Sequence, residues 1–106
     1  MPKFLLEVNY THDGIKAVKS KGGSARVAAA TELIESLGGK IEAFYFAFGA
    51  ADAYVVADFP DHVSAAAAAL TVSAGGGATT RTVLLLTTAE IDAAAAKDTT
   101  YRPPGS

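Results

Sequence analysis

Four side chains in this chain could do acid–base or ion-pair chemistry together: Tyr10, His12, Asp52 and Arg81. Arg81 offers planar donors for an anionic or carbonyl oxygen. His12 is of the residue type used for proton transfer near neutral pH. Asp52 is a carboxylate able to orient either of them, and Tyr10 adds a phenol. The set reads as a small-molecule site with an anchor, a titrating group and an orienting carboxylate. Each member also has a plain structural use. Asp52 can cap its own turn through an Asx-type hydrogen bond, His12 can be a solvated loop residue, and Arg81 a surface strand charge.

Other chemistry has no support in the sequence. The chain has no cysteine, which removes thiolate nucleophiles, disulfides and Cys-based metal sites. Its two histidines lack an obvious third ligand, so no metal is expected. No P-loop, G-x-G-x-x-G or Ser-His-Asp order occurs, and no cofactor is expected. The triplet Gly75–Gly77 follows a helical pattern instead of opening one, which makes it a poor phosphate cradle. A net charge of −2 and a pI near 5.5 argue against nucleic acid or an anionic membrane as partner. Lys16, Lys19 and Lys21 read as a solvated helix face, and His62 as an exposed residue of a first helical turn. No apolar run approaches the ~20 residues of a membrane span. The start Met1-Pro2-Lys3-Phe4 enters strand-like sequence at once, without the pattern of a secretory leader. A cytoplasmic location is the expectation.

The elements that would position these side chains follow from the spacing of apolar residues. Lys3–Tyr10 alternates as a strand, with Phe4, Leu6, Val8 and Tyr10 on one side and Leu5, Glu7 and Asn9 on the other. Thr11 or Asp13 caps a short helix through about Lys19. Gly22-Gly23 interrupts it, and Ser24 is expected to cap a second piece with Val27, Ala30, Ile34 and Leu37 on one stripe. Gly38-Gly39 ends that helix. Lys40–Phe48 and Ala53–Phe59 read as strands apolar on both faces, joined by a tight turn at Gly49–Asp52. In the first of them Phe44, Phe46 and Phe48 line one side, and Ile41, Ala43, Tyr45 and Ala47 the other. Asp61 caps a helix bearing Val63, Ala66, Ala67 and Leu70. Thr79–Thr87 is a β-branched fourth strand, and Thr87-x-x-Glu90 is a capping box for a last helix. Residues 98–106, ending in Arg102-Pro103-Pro104-Gly105-Ser106, read as a flexible tail.

At 106 residues the chain is one domain, residues 1–97, followed by that tail. The order β-αα-β-β-α-β-α predicts an α+β fold of the ferredoxin-like, split βαβ type. It has a four-stranded antiparallel sheet in order 4-1-3-2 and its main helices on one face. That order brings Tyr10, His12, Asp52 and Arg81 to one end of the sheet. Asp52 and Arg81 then stand about 10 Å apart, with strand one between them. Half of the residues are hydrophobic and the mean hydropathy is +0.25. Two central strands apolar on both faces would leave a large patch on the helix-free side. A homo-oligomer, built by stacking that face on a second copy, is the expected partner arrangement. The other way to cover it is the last helix or the tail.

The opening strand ending in Asn9-Tyr10-Thr11, the Gly38-Gly39 stop, Phe48-Gly49-Ala50-Ala51-Asp52, Pro60-Asp61 and Thr80-Arg81-Thr82 occur in that order. In this arrangement the chain resembles the GYD domain family, small bacterial proteins with no assigned activity, over all but about its last ten residues. The resemblance implies a dimeric α/β-barrel-type fold and lends no catalytic residues. The chain departs from the family pattern at Ala51, where the eponymous tyrosine would stand. Two functions remain open. One is a small homo-oligomeric ligand-binding or assembly module, with a small apolar or weakly anionic ligand. The other is a cofactor-independent enzyme of oxygenase, isomerase or cyclase type on a small apolar molecule.

Overall fold

The computed structural model describes residues 1–105. Its elements run β1 (Lys3–Tyr10), α1 (His12–Lys21), α2 (Gly23–Ser36), β2 (Lys40–Phe46), β3 (Ala53–Asp58), α3 (His62–Ala74), β4 (Ala78–Leu85) and α4 (Thr88–Ala95). The sheet order is β2-β3-β1-β4, with every neighbouring pair antiparallel. This is the 4-1-3-2 arrangement of a split βαβ fold.

Strand alternation divides the sheet into two unlike faces. On the helix-covered face Phe4, Leu6 and Val8 of β1 and Ala53, Val55 and Ala57 of β3 are buried. They pack with Ile34 of α2, with Ala65 and Ala68 of α3, and with Phe59. Phe59 lies just past β3 instead of in it and is wholly buried, its ring set edge-on to Phe4 at 5.8 Å. The buried side of α3 is alanine. Val63 and Leu70 of the same helix are 66% and 72% exposed. These larger side chains of α3 are turned outward instead.

On the helix-free face Leu5 pairs with Val56 and Val83, and Val56 with Ala43, giving an apolar row across all four strands. Polar rows flank it. Lys3 bridges Asp58 at 2.9 Å and also contacts Glu42, while Glu7 faces Arg81 and Tyr54. This face is therefore less apolar than the sequence suggested. A register shift between Ile41 and Ala43 is one reason. The extra residue moves Ile41 to the core side, opposite to its expected side.

Caps and glycines explain most boundaries. The Thr11 hydroxyl accepts from the Gly14 N–H at 3.2 Å and the Asp61 carboxylate from the Ser64 N–H at 2.7 Å. Thr87 and Glu90 form the expected reciprocal capping box. Gly22, at φ 87°, separates α1 from α2, and α2 starts at Gly23 with no side-chain cap in place of the expected Ser24. β2 stops at Phe46, two residues early, because Phe48 takes a left-handed φ of 61°. Every residue of α4 is exposed, as are residues 96–105. Neither segment covers the helix-free face. The radius of gyration is 16.8 Å and the longest extent 57 Å, against about 13 Å for a compact chain of this length. The expected tail runs on to Ser106, which lies outside the described residues.

Candidate functional site

A cleft of about 610 Å³ opens between the covered face of the sheet and the three helices α1, α2 and α3. Its floor is Leu6, Val8 and Tyr10 of β1 with Phe44 of β2, and its α2 wall carries Arg26 and Leu33. The walls are otherwise mostly alanine and glycine, and this leaves the cleft open. Ala29 and Ala30 of α2 stand opposite Ala68 and Ala69 of α3, so side chains do not fill the space between the helices.

One end of the cleft is closed by backbone. The Thr11 N–H donates to the Gly77 carbonyl at 3.0 Å, and the Thr11 hydroxyl to the Gly76 carbonyl at 2.9 Å. These bonds fasten the start of α1 to the turn between α3 and β4. Gly14 lies so close to that turn that a Cβ would sit 1.8 Å from the Gly77 carbonyl oxygen. Only glycine fits there.

Tyr10 is the polar aromatic of the floor. Its ring stacks on Phe46 at 6.5 Å, and Phe46 in turn packs on Phe44 at 5.2 Å and Phe48 at 6.3 Å. Burial pushes the Tyr10 phenol above its usual range. The Arg26 charge acts the other way, and Asp52 adds a small upward push. Arg26 comes from the first full turn of α2. Among the described residues it has no carboxylate within ion-pair distance. Thr80 lines the cleft from β4, and its hydroxyl is buried with no hydrogen-bond partner.

Asp52 sits at the entry to β3 and ties three segments together. Its carboxylate accepts the Tyr10 N–H at 2.9 Å, and its own N–H donates to the Val8 carbonyl at 2.8 Å. Its carbonyl accepts from Ala47 at 2.9 Å. The carboxylate thus reaches across to β1 instead of closing its own turn. Ala51 beside it is 1% exposed.

Of the four residues singled out from the sequence, Tyr10 and Asp52 are brought together. His12 is the exposed first residue of α1 and lies outside the cleft wall. Arg81 is paired with Glu7 on the helix-free face, 3.9 Å from its carboxylate, and so stands on the opposite side of the sheet from Tyr10. Arg26 and Thr80 were missed. Arg26, Ala30 and Leu33 recur at helical spacing along one side of α2, which was a usable signal.

The family model of the GYD domain matches residues 4–95 of the 106 in the chain. The chain belongs to the GYD domain family. The match runs from β1 to the last residue of α4, so the cleft lies wholly within the GYD domain. No curated protein and no solved structure matches the chain. Among the described residues no group of three or more His, Asp or Glu is placed to hold a metal ion, and no helix is long and apolar enough to cross a membrane.

Proposed function

We propose that this GYD domain is a small homo-oligomeric ligand-binding module whose ligand occupies the cleft between sheet and helices. The cleft itself carries the reading: about 610 Å³ of space walled largely by apolar side chains, with a few polar groups at one end. That volume and that polarity are those of pockets for small organic molecules. An open cleft of this kind loses packing energy unless something fills it. The oligomer reading is supported by the uncovered row Val83, Leu5, Val56 and Ala43, which neither α4 nor residues 96–105 shield.

A neutral fluorescent probe with an apolar body, 2-naphthol, tests the cleft. The wild-type protein should bind it saturably, and Ala30→Phe, which projects a ring into the space, should lose that binding while keeping its fold. Equal binding by the plugged variant would remove the cleft as the site.

A further inference from the structure

Resting on the cleft as the ligand's place, we propose that the ligand is a carboxylate with a flat apolar body, its head held by Arg26 at the Tyr10 end. Three features support it. Arg26 lines the cleft without a carboxylate of its own among the described residues. An Arg guanidinium takes a carboxylate through two parallel hydrogen bonds, which sets the orientation of the ligand as well as holding it. The N-terminus of α2 lies one turn before Arg26 and has no side-chain cap, so its first N–H groups are free of side-chain acceptors.

The third feature is Thr80. Its hydroxyl is buried and unpartnered on a strand position that also lines the cleft. Rotation about χ1 exchanges the hydroxyl with the methyl group, and threonine has more than one accessible rotamer. A bound oxygen gives the hydroxyl the partner it lacks. The apolar body then lies on the surface formed by Leu6, Val8 and Phe44.

Two acidic groups bear on the choice of charge. Asp13 lines the cleft from the first turn of α1, where a carboxylate complements that helix's own N-terminus. Asp52 has one carboxylate oxygen occupied by the Tyr10 N–H. Neither forms an ion pair with Arg26.

The test compares two probes with one ring system, 2-naphthoate and 2-naphthol, at pH 7 by fluorescence titration. Amide shifts at Ala30, Gly77 and Ala78 report whether each probe is in the cleft. Naphthoate should bind at least about tenfold tighter, the difference expected of one charge-assisted pair. Arg26→Gln should abolish that preference, bringing the naphthoate affinity down to that of naphthol in the same variant. Equal affinities in the wild type, or a preference that survives Arg26→Gln, would overturn the carboxylate head while leaving the cleft standing. Absence of both probes from the cleft would overturn the cleft and this proposal together.

Discussion

The Asp52 carboxylate accepts the backbone N–H of Tyr10 at 2.9 Å, and this one bond ties the end of β1 to the turn between β2 and β3. The Asp52 N–H returns to the Val8 carbonyl, so the two segments are joined in both directions. Asp52→Ala leaves the part-buried Tyr10 N–H without its acceptor. A loss of about 1–3 kcal/mol is expected, the range for a hydrogen bond to a charged group. Urea unfolding should show a lower midpoint at an unchanged slope. An unchanged midpoint would mean that water replaces the carboxylate at no cost.

The strand order could be read because β1 alternates with period two, β2 and β3 are apolar runs bounded by turn residues, and each helix has a cap or a glycine stop. The site was harder to read because the sequence reading used nearness along the sheet edge and ignored which face each residue takes. Arg81 shows the error. Its register partner is Glu7, already assigned to the side away from Tyr10, so the alternation alone separates Arg81 from Tyr10. His12 failed for another reason. It opens a helix, and the first residue of a helix points to solvent unless something packs on that end. The outward turn of Val63 and Leu70 had no local signal, because a helix made largely of alanine has no strong apolar side to choose between.

Gly14 is where α1 meets the α3–β4 turn most closely. A Cβ placed 1.8 Å from the Gly77 carbonyl oxygen forces backbone apart, since neither partner is a flexible side-chain end. Gly14→Ala should cost at least about 2 kcal/mol, in spite of alanine's better helix propensity. Thermal unfolding checks it. A variant as stable as the wild type would show that the turn yields freely.

Thr80 gives a prediction of the opposite sign. Its buried hydroxyl has no partner in the ligand-free protein, so Thr80→Val replaces an unsatisfied polar group with a methyl of similar size. A gain of about 1 kcal/mol is expected. A lower melting temperature would show that the hydroxyl is satisfied by water.

Four shifted groups shape the pH dependence. Backbone hydrogen bonds from Ser64 and Thr87 hold Asp61 and Glu90 below the usual carboxylate range. Their contribution is present above about pH 4 and is lost as the pH falls through the lowered values. Hydrogen bonds to Glu42 and then Asp58 raise Lys3, and burial raises Tyr10. Their contribution is complete below about pH 10 and is lost as the pH rises through the raised values. The melting temperature should therefore be flat between about pH 5 and 9 and fall on both sides. A slope across that interval would require a titrating group other than these four.

The helix-free face makes the last prediction. Leu5 stands in the centre of its apolar row, between Val56 and Val83. The flanking rows carry Lys3 with Asp58 and Glu7 with Arg81, charges already paired within one chain. A second copy can therefore stack its face on this one with most charges already paired, and only one of the two carboxylates at Lys3 left to be matched across the interface. Light scattering at micromolar concentration should give a mass of at least two chains, and Leu5→Glu should reduce it to 10.8 kDa. The glutamate sits where two copies would bring like charges together in a dry interface, so it opposes association without disturbing the covered core. A wild-type mass of 10.8 kDa would sink the dimer. An oligomer that survives Leu5→Glu would move the interface to the other exposed apolar surface, where Leu70 and Val63 of α3 stand outward and Leu84 is 55% exposed on β4.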